Sequence, residues 1–196
     1  LCVRLIKRTP AYAGMGGGSA DVAALLRILR DHWRPDMTDA KLEEIGLTVG
    51  SDVPFCLRGG TALAEGRGEV LTDLAPLPPC WIVVCKPDFG IPTPTLFARV
   101  DDAPITCRPD TVGMCAALDE GDLTGVASRL CNVFESALPA EYGEVFAIKE
   151  KLMELGAMNA AMSGSGPTMF GLFRAEEAAR QAYRETYCVC PVGKLH

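Results

Sequence analysis

Four of the five residues from 14 to 18 are glycine, in the stretch Ala13-Gly14-Met15-Gly16-Gly17-Gly18-Ser19-Ala20-Asp21. Glycine gives up more backbone freedom on folding than any other residue, so such a run must answer a demand of the fold. Before it, Leu1-Cys2-Val3-Arg4-Leu5-Ile6-Lys7 has the β-branched and apolar content of a strand that ends at Thr9-Pro10. After it, Val22, Leu25, Leu26, Leu29 and Trp33 recur at helical spacing. This predicts a helix over residues 19–33 with one buried stripe, Ser19 as its N-cap and Asp21 in its first turn. Strand, glycine loop and helix start together can hold a phosphate. The first helical amides lack intrahelical partners, the helix dipole is positive there, and glycines let the backbone close on an anion. A merely tight turn needs one or two glycines, so an anion site is the expectation.

Two common glycine loops do not fit. The P-loop pattern requires a lysine after its last glycine, and none follows Gly18. The dinucleotide fingerprint fails because Gly14-x-Gly16-x-x ends on Ser19 rather than glycine, and no acidic residue follows at the expected distance.

The 196 residues are 48% hydrophobic and 22% charged, the composition of an ordinary soluble globular protein with room for one large domain or two small ones. A net charge of −6 with scattered Lys and Arg argues against a nucleic-acid groove. The longest apolar runs are strand-sized, as at Trp81-Ile82-Val83-Val84-Cys85, so neither a membrane span nor a secretory signal is expected. Nine cysteines without a C-x-x-C pair, and only two histidines, read as free thiols in a reducing cytoplasm and not as a metal site. The chain opens within a strand-like run without an initiator methionine, so a preceding segment is expected.

Farther along, Thr38 is placed to cap a second helix through Leu42 and Ile45 that Gly46 closes. Residues 55–71 read as short antiparallel strands broken by glycine turns, and residues 81–86 as a buried strand. Thr93-Pro94 marks a helix start. From 111 to 155 the pattern is helical, in three pieces separated by Gly121 and Pro139, with Gly156 ending the last. Strands are expected over 157–162 and 168–173, a helix over 175–187 and a last strand over 188–193. This mixed order, with helices clustered after residue 90, predicts an α+β fold.

Asp52 stands between Gly50-Ser51 and Val53-Pro54-Phe55, where a rigidly held carboxylate could take a proton from a substrate hydroxyl, as phosphoryl transfer needs, or could simply cap a turn. Ser163-Gly164-Ser165-Gly166 is a second candidate anion nest, or a plain hairpin loop. The pattern G-x-S-x-G fits neither serine, which argues against serine-hydrolase chemistry. Thr93, Pro94 and Phe97 gather a hydroxyl, a rigid turn and an aromatic face at one helix start, and core packing is the ordinary account of a lone Phe97.

Taken together, Pro10-Ala11-Tyr12 followed by the glycine run, and Met162-Ser163-Gly164-Ser165-Gly166-Pro167-Thr168 near the C-terminus, resemble the two signatures of the GHMP small-molecule kinases. Gly50-Ser51-Asp52-Val53-Pro54-Phe55, the glycines at 60, 66 and 68, Lys86-Pro87, Thr93-Pro94, Phe97 and Asn132…Phe134-Glu135 are similar to one branch of that family. Its members phosphorylate the 2-hydroxyl of a cytidine-diphosphate methylerythritol in non-mevalonate isoprenoid biosynthesis.

The resemblance implies a two-domain α+β fold with the active site in the cleft between domains. Residues 1–75 would be the remainder of the N-terminal, ATP-binding domain and residues 76–196 the C-terminal domain. Pro10, Ala11, Tyr12, Ala13, Gly14, Met15, Gly16, Gly17, Gly18, Ser19 and Ala20 would hold the ATP phosphates. Asp52 would be the catalytic base. Thr93, Pro94 and Phe97 would line the cytidine end of the substrate, with Phe97 stacking on the base, and Ser163, Gly164, Ser165 and Gly166 would flank the transfer site. Mg²⁺ is implied as the ion that neutralises the moving phosphoryl group, with no protein metal ligands assigned. Ala20 stands where the family usually has a second serine. The family's essential lysine lies on a strand that would precede Leu1, so weak or absent turnover is expected of this chain alone. Other GHMP kinases, acting on homoserine or mevalonate, and a catalytically silent nucleotide-binding fragment are the alternatives.

Overall fold

A computed structural model describes residues 2–102, 105, 108–186 and 193–195. Contacts between Cα atoms divide the chain into two compact units, Gly16–Pro76 and a second made of Leu1–Met15 with Leu77–His196. Helices and antiparallel strands are mixed throughout, the α+β class expected from the order of elements.

The smaller unit holds helices α1 (Gly17–Trp33), α2 (Asp39–Val49) and α3 (Val53–Arg58) and the hairpin of β1 (Ala62–Glu65) with β2 (Val70–Asp73). Ala23, Leu42, Val53 and Leu57 form its buried core, flanked by Val22 and Leu26. Thr38 caps α2 as expected, its hydroxyl accepting from the Lys41 amide at 3.3 Å. Gly46 does not end that helix; it lies buried inside it, and Gly50 is the C-cap. A Cβ at Gly46 would come within 2.8 Å of Val53 Cγ1 and 2.9 Å of Leu57 Cδ1. The missing side chain is what lets α3 pack closely on α2.

Three further local expectations fail here. Helix α1 starts at Gly17, with Gly16 at the N-cap in a left-handed conformation (φ 61°), so Ser19 lies inside the first turn and Asp21 beyond it. Trp33 is 55% exposed and falls off the buried stripe. Phe55 to Arg58 are helical rather than extended, so Asp52 precedes a helix. A short apolar run carries no period of its own, and Pro54 in the first turn favours the helix.

The larger unit is built on a four-stranded antiparallel sheet in the order β4-β5-β3-β6, from β3 (Cys80–Cys85), β4 (Asn159–Met162), β5 (Met169–Phe173) and β6 (Gly193–Leu195). Helices α7 (Glu144–Glu154) and α8 (Glu176–Glu185) pack on this sheet. Val145, Ile148, Leu152, Ala179 and Ala182 meet Val83, Met162, Met169 and Phe173 in its main core. Helices α4 (Thr93–Asp102), α5 (Thr111–Asp119) and α6 (Leu123–Ser128) and 3-10 turns at Val133–Ala137 and Ala140–Tyr142 complete it.

The stretch from 111 to 155 is therefore cut into more pieces than its glycine and proline suggested. Asn132 caps a separate 3-10 turn that no strong breaker announces. Residues 2–8 form no strand although their composition is right, because a strand needs a ladder and none among the described residues pairs with them. Val3, Leu5 and Ile6 are 56–67% exposed. Of the last expected strand, residues 188–192 lie outside the described residues, and Gly193–Leu195 pairs with β3. No helix among the described residues is long and apolar enough to cross a membrane.

Candidate active site

In the larger unit two segments 149 residues apart in sequence meet closely. The Ser163 hydroxyl donates to the Gly14 carbonyl at 2.8 Å. Gly14 has φ 68°, and a Cβ on it would stand 2.7 Å from the Gly166 amide nitrogen and closer still to the Ser163 carbonyl oxygen. Only glycine admits that approach, since both neighbours are main-chain atoms. Residues 163–166 form the turn between β4 and β5. The Ser163 amide donates to the Thr168 carbonyl at 2.8 Å and the Gly166 amide to the Ser163 carbonyl at 2.9 Å. Two of the four amides of the supposed nest are thus used within the turn. Close by in sequence, Ala13 is 3% exposed whereas Tyr12 is 80% exposed with φ 53°.

The same turn reaches the start of α4, where the Thr93 and Ser165 hydroxyls share a hydrogen bond at 2.8 Å. Thr93 and Pro94 are exposed there. Phe97, one turn on, is 56% exposed and meets Phe134 edge to face with ring centroids 4.9 Å apart. It is not a core residue, so an aromatic face remains open to a planar ligand. Thr93, Ser163, Gly164, Ser165 and Gly166 therefore come together with Gly14, and Phe97 stands on the helix that carries Thr93.

In the smaller unit the start of α1 is left open. Among the described residues no side chain caps its first turn, and outside the local backbone no atom lies within 4 Å of where a Cβ would sit on Gly16 or Gly18. The amides of Gly17, Gly18 and Ser19 have no intrahelical acceptor by helix geometry. Ala20 donates back to the Gly16 carbonyl at 2.9 Å and begins the ladder.

Asp52, in this unit, occupies the N-cap position of α3 yet makes no capping bond and is exposed. The Ser51 hydroxyl donates to its Oδ1 at 3.5 Å. The β1–β2 turn passes beside it, with the Cβ direction of Gly68 pointing at Asp52 Oδ1 from 3.8 Å. Burial pushes the Cys56 thiol one turn along α3 upward; the Asp52 carboxylate adds to this and Arg27 opposes it. An exposed carboxylate not tied up in capping can accept a proton from a bound hydroxyl.

Sequence reasoning quoted Asn132 and Glu135 but gave them no role. The Asn132 side-chain amide donates to the Met162 carbonyl at 2.7 Å and to the Gly164 carbonyl at 2.8 Å. Glu135 Oε1 accepts from the Met162 amide at 2.8 Å, and Lys149 pairs with its other oxygen. Contacts across some 30 residues leave no periodic trace, so only the residues' polarity could have drawn attention to them.

Among the described residues no three His, Cys, Asp or Glu side chains cluster to hold a metal ion.

Comparison with known proteins places this geometry in a family. The model of the GHMP kinases N terminal domain matches residues 1–60, and that of the GHMP kinases C terminal region matches residues 114–189. A 4-diphosphocytidyl-2-C-methyl-D-erythritol kinase of Exiguobacterium sibiricum is 42% identical over 201 residues, covering 99% of this chain and 70% of its own. One from Alkaliphilus oremlandii is 44% identical over 178 residues, covering 90% and 61%. A crystal structure of 4-(cytidine 5'-diphospho)-2C-methyl-D-erythritol kinase superposes with a TM-score of 0.78 at 32% identity, covering 96% of this chain and 68% of that one. A homoserine kinase from Cytophaga hutchinsonii shares the fold, with a TM-score of 0.72 at 21% identity over 96% of this chain and 66% of that one. The chain spans 61–70% of the length of these curated relatives.

Proposed function

The chain belongs to the GHMP kinases, and on that premise we propose that the protein transfers the γ-phosphoryl group of ATP to the 2-hydroxyl of 4-diphosphocytidyl-2-C-methyl-D-erythritol, a step of isoprenoid precursor biosynthesis. Residues 1–75 are read as part of its N-terminal, ATP-binding domain and residues 76–196 as its C-terminal domain. The cytoplasm is the compartment this metabolic role fits.

The observation that carries the reading is the open, uncapped start of α1 following a left-handed Gly16. It supplies oriented amides, the positive helix end and empty space, which is what triphosphate oxygens require. Residues 10–20 are assigned to the phosphates. Asp52 is assigned as the base that takes the proton of the attacking hydroxyl, because it is exposed and makes no capping bond. Phe97 offers its ring to the cytosine, and Thr93 and Pro94 line the same end. Residues 163–166 flank the transferring group, held on Gly14 by the Ser163 hydroxyl. Bound Mg²⁺ would supply neutralisation of the charge on the phosphates.

Substrate identity rests on relatives at 42–44% identity that carry this name. The homoserine kinase likeness speaks for fold alone. The test is ADP release by the full-length gene product with Mg-ATP and, separately, diphosphocytidyl-methylerythritol, mevalonate or homoserine. Release with the cytidylyl substrate alone is expected, and Asp52→Asn should abolish it while ATP still binds. Release with mevalonate or homoserine instead would overturn the substrate, and normal turnover by Asp52→Asn would overturn the base.

A further inference from the structure

Residues 132–135 touch both halves of the ligand-facing surface of the larger unit. Asn132 uses both hydrogens of its side-chain amide on the β4–β5 turn, at 2.7 Å to the Met162 carbonyl and 2.8 Å to the Gly164 carbonyl. Its Oδ1 faces the other way and accepts from the Phe134 amide at 2.9 Å. That orientation is the one that leaves every polar atom partnered, so the amide is fully committed. Glu135 adds a third bond, from the Met162 amide at 2.8 Å. Lys149 occupies the other carboxylate oxygen and so turns Oε1 toward Met162. Between these two residues, Phe134 packs edge-on against Phe97.

Packing does not fix the segment on every side. With Leu130, Phe146 and Lys149 it lines a cavity of about 310 Å³. The segment is also short: its 3-10 turn spans Val133–Ala137 and is capped by Asn132 itself. One side chain thus shapes the segment and grips the turn.

We propose that Asn132 and Glu135 are positioning residues that hold the turn at 163–166 against Gly14 and, through Phe134, in register with the Phe97 ring. This rests on the kinase reading for its consequence, though not for its geometry. If the turn slackens, the Ser163 hydroxyl no longer stays on Gly14, and Ser165 no longer meets Thr93. The acceptor end and the phosphate end of the substrate then lose their fixed separation.

Asn132→Asp keeps the shape and the cap but sets a carboxylate against two carbonyl oxygens. Amide hydrogen exchange at Met162, Ser163 and Gly166 is expected to accelerate at least about tenfold, with β3 unchanged, since only local opening is affected. In the kinase assay kcat is expected to fall about 100-fold, the scale of an ångström-sized misplacement. Glu135→Gln keeps one acceptor for Met162 once the partly exposed Lys149 turns to solvent, and should stay within about threefold of the parent in both measurements, whereas Glu135→Ala should resemble Asn132→Asp. Should Asn132→Asp fail to fold, the Glu135→Ala and Glu135→Gln pair carries the same comparison. Unchanged exchange at 162–166, or a Glu135→Gln as impaired as Glu135→Ala, would overturn the proposal. A full-length parent protein without ADP release would instead sink the kinase reading, and the exchange data would still decide the positioning.

Discussion

Replacing Gly14 by alanine tests whether the close approach of residues 14 and 163–166 is built into the fold. The new methyl meets main-chain atoms: 2.7 Å to the Gly166 nitrogen, 3.0 Å to its oxygen, and less to the Ser163 oxygen. Main-chain atoms at a turn held by the Ser163 and Gly166 amides cannot swing aside as a side-chain tip can. Holding alanine at φ 68° costs about 1–2 kcal/mol. Overpacking adds about 1–3 kcal/mol, and losing the bond from the Ser163 hydroxyl about 1 kcal/mol. Alanine's lower entropy in the unfolded chain returns about 0.4–1 kcal/mol, leaving a net loss of about 2–6 kcal/mol.

Gly121 supplies the control within the same unit. Its φ is 65°, almost that of Gly14, but nothing among the described residues lies within 4 Å of its Cβ position. Gly121→Ala should therefore lose only the conformational part, about 1 kcal/mol after the same entropy credit. Urea unfolding followed by Trp81 fluorescence reads this unit, since Trp81 packs against its core. A gap of about 2–4 kcal/mol between the variants is expected. Equal losses would mean that left-handed backbone strain explains everything and that the contact with residues 163–166 carries no weight.

The Thr168 hydroxyl is fully buried and has no hydrogen-bond partner among the described residues, so Thr168→Val should leave stability unchanged or raise it by about 1 kcal/mol in the same urea titration; a loss above that size would mean the hydroxyl is partnered. The Asp52 carboxylate helps to raise the Cys56 thiol, so Asp52→Asn should lower it and speed Cys56 alkylation by iodoacetamide at pH 8 by about two- to fivefold. An unchanged rate would separate the two groups electrostatically. Asp110 caps α5; the Gly113 amide, and after it the Arg129 guanidinium, hold its carboxyl below the usual range. A depressed folded value stabilises above the unfolded one and is lost as pH falls through it. The Tm difference between the parent and Asp110→Asn, which keeps an acceptor for Gly113 but no charge, should therefore be largest near neutrality and shrink below about pH 4; a difference that is constant with pH would refute the assignment.

Elements marked by long period or by turn chemistry could be read from the sequence. The body of α1, the Thr38 cap, the β1–β2 hairpin, β3, and β4 with β5 all lie near their expected places. What was illegible depended on partners. Residues 2–8 have strand composition but no ladder, and Phe55 to Arg58 are an apolar run whose helix is set by Pro54 and by packing on Gly46. Ser19 had the right chemistry for a cap, yet the helix reached back to Gly17 because Gly16 takes the left-handed turn itself. In the candidate site, the signatures pointed to residues 10–20 and 163–166. Their contact, and the grip of Asn132 on Met162 and Gly164, came only with the tertiary structure.

That contact changes what the glycine run means. Counting four glycines in five residues treats them as one device for admitting an anion. The surroundings separate them into two. Gly14 is confined by the main chain of residues 163–166, and any side chain there collides whether or not a ligand is bound. Gly16 and Gly18 face open space, so nothing among the described residues forbids a Cβ at Gly18, and only the left-handed φ does so at Gly16. A fold that wanted merely a stable helix start would have placed serine or aspartate at the N-cap, which stabilises it by about 1 kcal/mol relative to alanine. Leaving that cap unmade and the space empty costs stability and yields a set of unclaimed amides. The first glycine thus ties the loop to the β4–β5 turn, and the later ones leave the helix end clear, which is what the proposed phosphate role requires.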